Sequence, residues 1–597
     1  MTGWCKGRLL DYAWLLFWIV ASSIWCVSAS ARLSATFDEP TYITYGLESW
    51  RTGSYKRLID LGTMPLPSRV QTLPLYLWER DRGEPFDTAR DLERVLPVAR
   101  LGTLPFWWLL LVYGCLTVRQ MAGVWGGRLA VSFLACEPNL LAHASLATTD
   151  VALSACLLAL LYHFRMGRAG PWRRRVLTPA IWFALAVLSK ASGFVFGIIG
   201  MTMIELEYRL TAMSATTEER RPLRVAVKGL FQKPFRRDLR QVVSLGLLAV
   251  FCFCGSEWEC SPSFVEWGRQ LPEGPARSAI VWCAEHLCIF SNAGVALIRQ
   301  VRHNVQGHGV FLLDQIEKRA IWYYFPLALS IKCPLPLLAL PLLLAVVCRR
   351  ALRNWACLTA LALLAFTLVC RVQTGIRLVL PLVMIAVVGL TAALAVASQQ
   401  LRWDRRRMLL AVCGALSGVW LLWSSLSVWP HGLCYTNELW GGTENGYRCL
   451  SDSNYDWGQG LKELVRWQES HRERDLNVMY YGTDTSLSRL PMRPLTIGAL
   501  NLGSDKLPES ARGHALAVGV SIVYGSVGDI FPDLKAMAQA LRGIQPVDRT
   551  ATFFIYRLPV NEEIADAKGV EKSATKEAPD RHRETSHIAP SISEPDK

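Results

Sequence analysis

Long apolar runs, broken by short arginine-rich stretches, dominate the first three quarters of the chain. Between residues 9 and 428 these runs reach about 15–25 residues, enough to cross or nearly cross the hydrocarbon core of a bilayer. At about 20 residues per crossing they predict about eleven spans, near 9–30, 97–118, 124–143, 150–164, 176–189, 191–207, 241–256, 322–348, 354–370, 376–397 and 408–428. The stretch 176–207 fits either one long helix or two short ones with Lys190 at the turn.

Charge chooses between them. Lys and Arg crowd the loops 165–175, 209–240, 349–353 and 402–407, with a weaker set at Arg119. Short loops of this kind stay in the cytoplasm, and only the two-helix reading puts all five on one side. The expected topology is a multi-pass protein of the inner (plasma) membrane with its N-terminus in the cytoplasm. Lys190, the long loops 31–96 and 257–321, and everything after 429 then lie outside.

After residue 428 the pattern changes. Leu461, Leu464 and Val465 share one face of a helix predicted over 456–471, and 478–481, 515–524 and 552–556 read as strands. The expected fold is therefore an all-α polytopic membrane domain over 1–428, followed by a small α/β extracytoplasmic domain over 429–560. The stretch 561–597, charged and poor in aromatics, reads as a disordered polar tail.

Composition refines this picture in two places. A net charge of +15 invites a nucleic-acid partner, but the basic residues sit in short loops between apolar runs, which excludes that class. The 17 Cys show no metal spacing. Cys252, Cys254, Cys357 and Cys413 read as small hydrophobes within apolar runs. Cys260, Cys283, Cys288, Cys434 and Cys449 fall in segments expected outside, where disulfides form, although their pairing is not legible.

Chemistry-bearing residues cluster near the predicted outer surface. Asp38-Glu39 follows the first span, and Pro40 fits the first turn of a helix, fixing the carboxylates where a general base for a hydroxyl acceptor would stand. Taken alone, the pair also fits a solvated loop. Asp150 sits where one helix surfaces and the next begins, so it reads either as a functional acid or as a helix cap. His143, in an apolar setting, reads first as a buried hydrogen-bonding residue. Lys190, Lys332 and Arg377 lie within or beside apolar runs, where charge is costly and commonly functional. Gly307-His308-Gly309 fits a turn, and Asp456 fits a helix cap.

In order along the chain, Asp38-Glu39-Pro40, the stretch 137–150, Leu188-Ser189-Lys190, Gly307-His308, 322–336, Gly375-Ile376-Arg377 and 452–459 resemble the GT-C superfamily of membrane glycosyltransferases. Within it the chain looks like the bacterial relatives of the dolichyl-phosphate-mannose–protein mannosyltransferases, over roughly 10–560. The resemblance implies inverting transfer of a sugar from a polyprenyl-phosphate donor to a hydroxyl acceptor on the outer face, without a cofactor or metal. It implies a catalytic role for Asp38 with Glu39 and Asp150, and donor-phosphate contacts from Lys190, His308 and Arg377. His143, Lys332 and Asp456 are expected in support. Where that family often carries His-Pro-Pro-Leu in the first loop, this chain has Thr63-Met64-Pro65-Leu66. Two rival expectations are a transporter of a lipid-linked sugar and an inactive scaffold of the same fold.

Overall fold

The computed structural model describes residues 2–214, 222–260, 262–288, 291–307, 309–401, 405–496, 500–525 and 531–559. The expected tail over 561–597 lies outside the described residues. Among those described, five helical stretches are long and apolar enough to cross a membrane: Leu9–Arg32, Leu92–Ala135, Asp150–Gly167, Ile376–Gln400 and Arg405–Ser427.

The expectation of about eleven spans is modified by local breaks. The helix Leu104–Ala135 reverses at Gly123, whose φ of 77° is left-handed. In a straight helix Gly114 and Leu134 would stand about 30 Å apart, yet a Cβ on Gly114 would collide with the Leu134 side chain. This stretch is thus the expected pair of spans, joined by a hairpin. Its second arm stops at Ala135, because Pro138 starts a separate helix, Pro138–Ala144, which the Glu137 carboxylate caps through the Leu140 N–H at 2.6 Å.

The expected span over 322–348 is two helices, Tyr324–Lys332 and Leu335–Cys348, bent by 105°. Pro334 and Pro336 remove the donors that would carry the helix across the break. Trp355–Thr367 is apolar but, at 13 residues, covers only about 20 Å.

Lys190 stands in extended backbone between Thr178–Ser189 and Gly193–Ser214, so 176–207 is two helices. The basic loops on either side of that hairpin meet at one end of the bundle. Arg168 pairs with Glu205 at 2.7 Å and with Asp238 at 3.2 Å, and Arg175 pairs with Asp238 at 3.1 Å.

At the other end of the bundle sits a mixed five-stranded sheet in the order Arg493–Pro494, Leu476–Met479, Ala515–Gly519, Phe553–Arg557, Asp548–Arg549. The first three strands run parallel, and the last two are antiparallel to their neighbours. Alternation along the strands sends Val478, Ala517 and Ile555 against the helix Leu461–His471, while Met479, Val518 and Phe554 meet Pro532–Arg542. The strand expected over 515–524 ends at Gly519, and a helical turn, Val520–Val523, replaces its second half. Of the expected outer cysteines, Cys260 and Cys288 form a disulfide with Cα atoms 5.2 Å apart, whereas Cys283, Cys434 and Cys449 are free.

Candidate active site

The first span ends at Arg32, the chain runs without regular structure over 33–36, and helix resumes at Glu39–Thr52 with Pro40 in its first turn. This geometry leaves Asp38 at the head of the second helix. Its carboxylate makes no capping bond there. It accepts instead from Arg377 Nη1 at 2.6 Å, across 339 residues of sequence. Tyr42, one helical turn on, donates its hydroxyl to the same oxygen at 3.3 Å, and Thr63 donates to the Tyr42 hydroxyl at 3.5 Å. Thr63 opens the Thr-Met-Pro-Leu stretch, so the segment that departs from the family pattern still touches the site.

Arg377 is positioned by its neighbours. Gly375 has φ 152°, and a Cβ there would collide with the Ser453 hydroxyl, so the chain passes close under 452–457. The Asn454 amide oxygen accepts from Ile376 N at 2.9 Å, and the Trp457 ring lies 4.1 Å from the Arg377 guanidinium carbon.

The segment before Asp38 is held on one side by Arg100 and Glu39 and on the other by the C-terminal unit. Phe37 N–H donates to the Trp457 carbonyl and Ser34 N–H to the Gln459 carbonyl, both at 2.9 Å. Ala35 N–H donates to the Asp484 carboxylate at 3.0 Å, and the Thr483 hydroxyl donates to the Phe37 carbonyl at 2.7 Å.

Asp150 begins the helix Asp150–Gly167, but it pairs with Lys190 Nζ at 2.6 Å rather than capping, and Thr149 makes no side-chain cap either. Asp150 also lies within Coulombic range of His143 and Arg377. The structure therefore brings Asp38, Asp150, Lys190, Arg377 and His143 together. Buried Asp150 Oδ2, His143 Nδ1 and Arg377 Nε have no hydrogen-bond partner. Buried polar atoms are rarely left so, and these three gather around the Asp150–Lys190 pair. His308 lies outside the described residues.

Three other candidates have different surroundings. Glu39, fully buried, takes Arg100 Nε and Nη2 at 2.8 and 2.7 Å, the Thr36 N–H and hydroxyl at 2.8 and 3.0 Å, and Ala147 N–H at 2.7 Å. Although burial opposes its charge, the Arg100 guanidinium holds its carboxyl below the usual value. Every lone pair is used, so Glu39 braces the first loop against the Asp150 turn. Arg100 spends its other donors on the carbonyls of Ser30, Leu33 and Ser34.

Lys332 gives its three protons to the carbonyls of Leu433, Tyr435 and Asn454, and so ties the broken helix to the C-terminal unit. Asp456 does not cap a helix, since Leu461–His471 starts after Gly460. Its two oxygens accept from Gly458 N–H and Ser521 N–H, each at 3.1 Å, and burial pushes its carboxyl up to about 7.

Sequence reasoning overlooked Tyr42, Trp457 and Arg100. Tyr42 carried a legible signal, four residues after Asp38 on a helix that Pro40 announces. Among the described residues, no group of three or more His, Cys, Asp or Glu is arranged to hold a metal ion.

No family model and no curated relative matches the chain. Among solved structures it is similar to ArnT from Cupriavidus metallidurans bound to undecaprenyl phosphate, at 13% identity and TM-score 0.42 over 91% of this chain and 97% of that one. The apo state of ArnT aligns over the same shares with TM-score 0.26. The Archaeoglobus fulgidus oligosaccharyltransferase in complex with Zn and sulfate aligns at 13% identity and TM-score 0.37, over 91% of this chain and 74% of that one.

Proposed function

We propose that the chain is a membrane glycosyltransferase that moves a sugar from a polyprenyl-phosphate carrier to a hydroxyl acceptor, with inversion. The observation that carries this reading is the partly exposed Asp38 carboxylate, oriented by Arg377 and Tyr42 beside the Asp150–Lys190 pair at the head of the helix bundle. Asp38 takes the acceptor proton as the acceptor oxygen attacks the anomeric carbon. The bond from that carbon to the phosphate oxygen breaks, and its electron pair leaves with the polyprenyl phosphate. Lys190 and Arg377 offset the charge that develops on the leaving phosphate. Asp150 holds Lys190 in place.

The site face is outside the cytoplasm in this reading. The basic loops gather at the opposite end, and the Cys260–Cys288 disulfide fits an oxidising compartment. Reporters fused after residues 225 and 445 test this, with the first expected in the cytoplasm and the second outside.

The reaction itself is tested by incubating the purified chain with undecaprenyl-phosphate sugars and a membrane extract as acceptor source, and measuring released undecaprenyl phosphate by mass spectrometry. Release should fall about 10²–10⁴-fold in a folded Asp38→Asn protein. Release equal to wild type would remove Asp38 from the mechanism.

A further inference from the structure

Four charged side chains of the site form two ion pairs. Arg377 donates to Asp38 Oδ2 at 2.6 Å, and Lys190 donates to Asp150 Oδ1 at 2.6 Å. Among the described residues neither cation has a second hydrogen-bond acceptor. The neighbouring cations are committed as well, Arg100 to Glu39 and Lys332 to three backbone carbonyls. A phosphate therefore joins this set by drawing a cation away from a carboxylate.

The two pairs differ in what they would lose. The Asp150 side chain is 1% exposed, Lys190 is its one hydrogen-bond donor among the described residues, and its Oδ2 already lacks a partner. Without Lys190 a buried carboxylate would be left bare, which is costly. The Asp38 side chain is 23% exposed, and without Arg377 its Oδ2 would keep the Tyr42 hydroxyl. Arg377 is also suited to change partners. Its Nε is unbonded, and Asp150 stands within Coulombic range of it. The Trp457 ring, 4.1 Å from the guanidinium carbon, offers a face over which the planar group turns without losing contact.

The chemistry supplies the moment of exchange. Asp38 Oδ1 accepts no hydrogen bond among the described residues, which leaves a lone pair for the acceptor proton. With that proton in place Asp38 is neutral. In the same step the bond from the anomeric carbon to the phosphate oxygen breaks, and its electron pair stays on the phosphate. The phosphate passes from a diester with about one negative charge to a monoester with about 1.5–2. Negative charge thus leaves the carboxylate as it appears on the phosphate.

We propose that Arg377 is handed over from Asp38 to the departing phosphate during transfer. It holds the base in place before the proton moves and neutralises the leaving group afterwards. Its bond to phosphate strengthens only as charge develops, so it favours the transition state over the bound donor. The handover rests on the transferase reading and adds an order to it, carboxylate first and phosphate second.

Binding of the product, undecaprenyl phosphate, to the full chain in detergent tests this without turnover, with native mass spectrometry as the readout. Asp38→Asn reproduces the neutral carboxyl, so Arg377 is released beforehand. The product should bind about tenfold tighter than to wild type, the equivalent of one charge-assisted hydrogen bond. Asp38→Ala, which keeps no acceptor for Arg377, should show the same gain. In an Arg377→Ala background Asp38→Asn should gain nothing. A gain that persists there would come from loss of a like charge alone and would overturn the handover. Equal or weaker binding to both Asp38 variants, with the wild-type chain binding the product, would overturn it and leave the transferase reading standing. Wild type and variants that all ignore undecaprenyl phosphate would strike the transferase reading itself, and the handover with it.

Discussion

Adjacent carboxylates with opposite fates make a sharp test. Glu39→Gln keeps the size of a side chain that accepts five hydrogen bonds in a site with no exposure. With its oxygen turned to Thr36, the new amide nitrogen faces Arg100 Nε–H and Ala147 N–H, donor against donor. Arg100, 3% exposed, would then hold an uncompensated charge. Removing one partner of a buried pair costs about 3–5 kcal/mol, about a fifth or more of a typical total stability of about 5–15 kcal/mol. Asp38→Asn, in contrast, removes one charge of a pair that solvent partly reaches and leaves Asp150 beside Arg377, so it should cost less than the loss at Glu39.

Melting of the purified proteins in one detergent should therefore show Glu39→Gln falling by several degrees and Asp38→Asn close to wild type, while release of polyprenyl phosphate shows the larger loss in Asp38→Asn. Acid should mimic the first substitution. The Glu39 carboxyl lies below its ordinary value in the folded chain, so its contribution is present above the unfolded value of about 4.3 and is lost as pH falls through the lowered one. A Glu39→Gln protein that melts like wild type but fails to transfer would refute the bracing role and place Glu39 among the reacting groups.

Arg377→Lys keeps a cation but loses the planar group lying on Trp457, so transfer should drop at least about tenfold in a well-folded protein; near-wild-type rates at saturating donor would reduce Arg377 to an interfacial charge. Lys332→Met leaves three buried carbonyls without their donor, and a loss of about 3 kcal/mol or more is expected, read as early melting or faster proteolysis between the bundle and the C-terminal unit. The Asp456 carboxyl stays protonated up to about 7 when folded but ionises near 4 when unfolded. Stability of the C-terminal unit should therefore decline as pH rises from about 4 to 7 and level off above, and Asp456→Asn should flatten that slope in a melting series.

The bundle was legible because membrane helices advertise themselves by length, and the Lys190 hairpin because basic loops must share a side. Span boundaries were less so. Pro334 breaks an apolar stretch that a hydropathy window treats as continuous, and the bend of 105° there depends on packing rather than composition. Asp38, Asp150, Lys190 and Arg377 were legible as costly charges near a membrane surface. Lys332 satisfied the same criterion, yet its three partners are carbonyls far along the chain, which leave no mark on the residues around it. Glu39 and Asp38 are likewise indistinguishable by position, and only Arg100, 61 residues on, separates their roles.

The clasp between 34–37 and the turns at 457–459 and 483–484 bears on how the protein is made. Residues 34–37 leave the ribosome more than 400 residues ahead of the groups at 457–459 and 483–484 that clasp them. At about 5–20 residues per second, that interval is on the order of a minute. Throughout it, the helices are threaded into the membrane while this stretch has only its local bonds to Arg100 and Glu39. The surroundings of Asp38 are therefore completed in one late step, and a chain cut short before residue 457 would insert with this segment unclasped.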